Sequence, residues 1–166
     1  HVRMLEEMQN ARSKWRHRNL AVAATGTGKT VFSALDYRRL CEQSGKKLKL
    51  LFIAHRKEIL DQARRTFGDV MLKGNFGELL TGGKKPEYNE AVFATIQTLS
   101  GAALKNYAPD YFDVIIMDEC HHIKAASWDK VFNYFEPREF IGLTATPERE
   151  DGVNIADQYF GGYVAT

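Results

Sequence analysis

The sequence predicts an α/β domain built on a mostly parallel sheet with helices on both faces. Three observations carry this expectation. Short apolar runs alternate with charged, helix-like segments along the chain. The run FDVIIMDE (112–119) is apolar nearly throughout, as suits a parallel strand covered on both sides. The glycine-rich stretch AATGTGKT (23–30) follows an apolar run and opens into a helical pattern.

Taken in order, residues 4–16 read as a charged amphipathic helix. NLAVAA (19–24) is a buried strand ended by glycine. Residues 29–43 form a helix that stops near Gly45, and LKLLFIAH (48–55) is the next strand. RKEILDQARRTF (56–67) is helical. The choppy, glycine-rich stretch from Asp69 to Ala91 should hold short strands and a surface loop near 82–89. AVFAT (91–95) is a strand followed by a short helix. After the strand at 112–119, residues 127–135 look helical. EFIGLTAT (139–146) is the last strand, because Pro147 blocks simple continuation. No repeat or linker divides the 166 residues, so one domain spanning 1–166 is expected.

Composition narrows the function classes. A hydrophobic content of 44% suits a packed core, and no apolar run is long enough to span a membrane. The net charge of +2 does not by itself imply a nucleic-acid partner. The basic clusters, RSKWRHR (12–18) among them, read singly as solvated faces. Trp15 and Trp128 read as packing residues. Cys41 and Cys120 form no disulfide pattern, which points to a reduced, cytoplasmic chain. The chain begins at His1 and reads as a fragment of a longer protein.

The glycine stretch has a physical use. Glycines let the backbone approach an anion closely, and successive N–H groups at a helix N-terminus form an anion nest. Thr25, Gly26, Thr27 and Gly28 would cradle phosphates, Lys29 would reach the β- and γ-phosphates, and the Thr30 hydroxyl would ligate Mg²⁺. Ala23 stands where the usual phosphate-loop pattern has its first glycine. Asp118 and Glu119 close the strongest strand, at the sheet edge where open α/β sheets bind ligands. Asp118 can hold Mg²⁺ and Glu119 can orient or deprotonate a water. Cys120-His121-His122 is not read as a zinc site, since adjacent residues do not converge on one ion and no second pair has zinc-like spacing.

With these motifs in place, the chain resembles the N-terminal RecA-like P-loop NTPase domain of superfamily 2 helicases and translocases, of DEAD/DEAH type. AATGTGKT resembles motif I, in which alanine often replaces the first glycine. DECH (118–121) resembles motif II, LTATP (143–147) motif III, LFIAHRKEILDQA (51–63) motif Ia and TGG (81–83) motif Ib. FATIQTL (93–99) resembles a further segment of the family. The resemblance implies an ATP- and Mg²⁺-dependent motor with Lys29, Asp118, Glu119 and His121 in the catalytic site. It implies that Thr144 and Thr146 transmit nucleotide state, and that His55, Arg56, Thr81, Gly82, Thr95 and Gln97 contact a nucleic-acid backbone. GLTATPEREDG together with AHRKEILDQA looks most like restriction-enzyme motor subunits, which makes DNA the expected track and leaves RNA open. The implied adenine-reading glutamine is expected upstream of His1, because the surroundings of Gln9 match poorly. The implied arginine finger is expected on a C-terminal RecA-like domain of the full-length chain. No nuclease motif is visible. Two rival readings are a phosphoryl-transfer kinase, which would need neither Glu119 nor the T-A-T segment, and a non-catalytic nucleotide-gated nucleic-acid-binding module, which could lose Lys29, Thr30, Asp118 and Glu119 freely.

Overall fold

A strand buried on both faces must be apolar at every position, and this rule locates the sheet. A computed structural model describes residues 2–23, 28–119, 125–145, 160 and 164–165. In chain order the elements are α1 (Val2–Ser13), β1 (Arg18–Val22), α2 (Gly28–Ser44), β2 (Leu50–Ala54), α3 (Lys57–Met71), β3 (Glu78–Leu80), β4 (Ala91–Thr95), α4 (Ile96–Leu99), a 3-10 turn (Ala102–Asn106), β5 (Val114–Met117), α5 (Ala125–Tyr134), β6 (Glu139–Thr144) and β7 (Val164–Ala165). The strands pair in the order β3-β4-β2-β5-β6-β1-β7. Every pairing is parallel.

Alternation along each strand divides the core in two. Leu50, Phe52 and Ala54 of β2 face one cluster with Phe32 and Tyr37 of α2 and Leu60 and Phe67 of α3. Leu51 and Ile53 face the other, with Leu99 of α4, Leu104 of the 3-10 turn and Trp128 and Phe132 of α5. An aromatic group holds the first layer: Phe52 lies 5.4 Å from Phe93 and 5.7 Å from Phe67, centroid to centroid. Gly77 belongs to this packing. Its φ is +77°, and a Cβ there would come within 2.4 Å of the Phe93 ring.

The N-terminal helix departs from expectation. It ends at Ser13 rather than at residue 16, and Trp15 adopts a left-handed φ of 65°. Trp15 is therefore 87% exposed and not a packing residue, whereas Trp128 is fully buried. Arg12, read as part of a solvated basic face, is instead buried. Its guanidinium donates two bonds to Asp36 of α2 (2.7 and 2.6 Å) and another to Glu139 at the start of β6. His17 Nδ1 lies 2.5 Å from the second Glu139 oxygen. Burial pushes the Glu139 carboxyl up, and Arg12 and His17 oppose that shift without cancelling it. This network ties α1, α2 and β6 together at the N-terminal end of the strands.

Candidate functional site

All described strands run the same way, so the loops after them gather along one edge. β6 lies between β1 and β5. Lys29, at the start of the helix that follows β1, and the acidic pair that follows β5 come from the two strands on either side of β6. The ladder extends past the strands on both sides. The Ala23 N–H donates to the Thr144 carbonyl (3.0 Å), and the Asp118 N–H donates to the Ile53 carbonyl (2.8 Å). Thr144, the last residue of β6, is fully buried between them.

Lys29 sits in the first turn of the long helix α2, at the positive end of its dipole. Its ammonium is buried and pairs with the Glu119 carboxylate, with Asp118 Oδ1 at 3.8 Å. Asp118 and Glu119 do not continue the strand, as 112–119 implied. β5 ends at Met117 and the pair occupies the following turn. Glu119 takes a left-handed φ of 50°, and its N–H donates to Asp118 Oδ1 at 2.9 Å. The turn aims both carboxylates at Lys29. Burial pushes the Asp118 carboxyl up to about 6. Lys29 opposes that rise, and the neighbouring Glu119 charge adds to it.

This arrangement can hold a divalent cation and a polyphosphate. A buried carboxylate with a raised pKa gains from a nearby positive charge, and Lys29 already supplies one. The Asp118 carboxylate and the Thr30 hydroxyl are hard oxygen donors of the kind Mg²⁺ prefers. Among the described residues no cluster of three or more His, Cys, Asp or Glu side chains forms a metal site. Thr25, Gly26, Thr27, His121 and Thr146 lie outside the described residues.

The sequence-based nucleic-acid candidates fall on the same edge, further from the phosphate loop. Ala54 is paired with Thr95, and Ala94 with Leu80, so the residues after β2, β4 and β3 are neighbours. Gln97 Nε2 donates to the His55 carbonyl (3.2 Å), and the Thr95 hydroxyl donates to that of Thr98 (2.9 Å). Arg56 and Gly82 are exposed, and Thr81 closes a tight turn with Lys84. Glu78 was not expected from the sequence. Its carboxylate accepts backbone N–H bonds from Glu87 (2.5 Å), Tyr88 (3.0 Å) and Asn89 (2.8 Å). Burial works against that charge, yet the three donors hold its carboxyl below the usual range. A lone glutamate in a glycine-rich stretch gave no signal for this role.

Comparison with known proteins agrees with this geometry. The family model described as "Type III restriction enzyme, res subunit" matches residues 2–149. The type I restriction enzyme EcoAI endonuclease subunit of Escherichia coli is 37% identical over 161 residues, covering 90% of this chain. The chain spans 19% of that subunit's length. The UvsW helicase of bacteriophage T4 superposes with a TM-score of 0.72 at 22% identity, over 89% of this chain and 53% of UvsW. The type ISP restriction-modification enzyme LlaGI, solved with a DNA substrate mimic, superposes with a TM-score of 0.73 at 22% identity, over 98% of this chain and 19% of the enzyme. No helix among the described residues is long and apolar enough to cross a membrane.

Proposed function

Because the chain belongs to the type III restriction enzyme res-subunit family, within the superfamily 2 helicases and translocases, we propose that residues 1–166 are the ATP-binding half of a nucleic-acid-dependent motor. The observation that carries this reading is the meeting of Lys29, from the first turn of α2, with Asp118 and Glu119, from the turn after β5. Lys29 binds the β- and γ-phosphates, and Thr30 and Asp118 hold Mg²⁺. The metal, when bound, neutralises charge on the phosphates. Glu119 accepts a proton from the attacking water once Lys29 turns from it to the phosphates. His121 is assigned to the same catalytic set. Thr144, buried at the end of β6 beside Val22 of β1, reports nucleotide state along β6 together with Thr146. His55, Arg56, Thr81, Gly82, Thr95 and Gln97 line a path for a nucleic-acid backbone, which needs no base-specific contact.

The likeness to the EcoAI subunit favours a motor of the restriction type, with DNA as its track. The cytoplasm is the assigned location. A C-terminal RecA-like domain of a longer chain would supply the arginine that meets the transition state, an element worth roughly 10³–10⁵ in rate. Residues 1–166 alone should therefore hydrolyse ATP very slowly. The test is ATPase turnover of the full-length protein with single-stranded DNA, double-stranded DNA and double-stranded RNA, beside the same protein carrying Lys29→Ala. Stimulation by double-stranded DNA, lost in the variant, is expected. Equal nucleotide affinity in the two proteins would defeat the assignment of Lys29.

A further inference from the structure

The turn after β3 and the 3-10 segment flank a half-open cavity of about 320 Å³. It sits at the β3 end of the sheet. Five strand spacings separate β3 from β1, on the order of 24 Å, so it is not part of the phosphate site. Leu80, Ala103 and the edge of Tyr107 give it apolar walls, and Lys85, Thr98 and Asn106 bring polar groups to its rim. That volume is at the low end for ligand pockets, which run from roughly 300 to 1,000 Å³. It suits one flat ring system and is too small for a folded peptide.

The walls are held in place. The Tyr107 hydroxyl donates to Asn89 Oδ1 (2.7 Å), and the Tyr107 carbonyl accepts from the Tyr134 hydroxyl (2.5 Å). Its ring packs 4.9 Å from that of Phe112. On the opposite side, Thr81 and Lys84 exchange two backbone hydrogen bonds (3.0 and 3.3 Å), and Glu78 fixes the chain on its return. Between them Gly82 and Gly83 are exposed with open space where a Cβ would stand, and Lys84 and Lys85 are exposed beside them. Bare backbone with two ammonium groups is a surface a phosphate can approach closely. Thr98 accepts from Thr95 and retains a proton to donate, and an amide such as that of Asn106 can donate and accept on a base edge.

We propose that this cavity receives a single unpaired nucleobase from a strand whose phosphates cross the Gly82–Lys85 turn. The inference rests on the nucleic-acid reading above and adds to it a pocket for a base lifted out of the stack. The test uses a short deoxyadenosine oligomer carrying one 2-aminopurine, moved stepwise along it, with the full-length protein at low salt. Anisotropy of an end label reads binding, and 2-aminopurine emission reads unstacking of the marked base. A several-fold rise in emission at one position is expected. Asn106→Ala should abolish that rise while changing the binding constant only a few-fold. Ala103→Trp, which fills the cavity, should do the same in a chain whose circular dichroism is unchanged. Lys85→Ala should weaken binding itself. Binding with no change in emission at any position, or an undiminished rise in both pocket variants, overturns the pocket and leaves the nucleic-acid reading standing. Absence of binding to this oligomer overturns the pocket, and absence of binding to single- and double-stranded DNA alike overturns the nucleic-acid reading as well.

Discussion

Asp118→Asn should make the nucleotide-free protein more stable, and by an amount that depends on pH. The Asp118 carboxyl rises from an ordinary 3.8 to about 6 on folding, chiefly through burial. A group with a higher pKa in the folded state binds its proton more tightly there. Its favourable contribution is present in full below the unfolded value and is lost as pH climbs through about 6. A rise of about two in pKa corresponds to ~3 kcal/mol at most. Asparagine keeps the acceptor for the Glu119 N–H but cannot ionise. The variant should match wild type near pH 4 and exceed it by about 2–3 kcal/mol near pH 8. For a domain of this size that is roughly 5–10 °C in Tm. The assay is thermal unfolding followed by circular dichroism across this range, without Mg²⁺ or nucleotide. A stability difference that stays constant with pH would refute the reasoning. Added Mg²⁺ and nucleotide should narrow the gap at high pH, because only the wild type retains its full metal ligand set.

Glu119→Gln in the full-length protein should still bind ATP by calorimetry while single-turnover hydrolysis falls by ~10²–10⁴. Arg12→Ala should lower stability by about 3–5 kcal/mol in urea, since it leaves Asp36 and Glu139 buried without their shared cation. Gly77→Ala should cost about 1–3 kcal/mol by the same measurement, because its Cβ meets the Phe93 ring. Nucleic-acid affinity of the full-length protein should fall steeply with salt and vary little with base sequence, as titration by anisotropy would show.

The sheet was legible because burial on both faces leaves its mark on every residue of a strand. Ala91–Thr95 appears with the bounds its apolar run implies, and Lys29, Asp118 and Glu119 meet as the motif spacing led one to expect. What was not legible depends on partners distant in sequence. Arg12 resembles any basic residue of a charged stretch until α1 brings it to Asp36 and Glu139. Glu78 acquires its role only when the 87–89 backbone returns to it. Trp15 carries a large apolar ring of the kind that fills cores, and only the left-handed turn after α1 leaves it in solvent. Strand β7 is two residues long, too short for any periodicity to reveal.

The place of β6 between β1 and β5 also sets the order in which this domain can be made. In the finished sheet Arg18 pairs with Phe140, and Val114 with Glu139. During synthesis β1 must wait until Phe140 has been made before it gains that neighbour, and pairings of such long range form slowly. Until then β1 and β5 each present an unpaired edge open to wrong partners, a state that chaperones protect. A nascent chain halted before Glu139 contains Lys29, Asp118 and Glu119, yet nothing fixes the distance between the strands that carry them. Capture of a fluorescent ATP analogue by chains arrested at successive lengths would therefore time the insertion of this strand, because the phosphate site closes only when β6 enters.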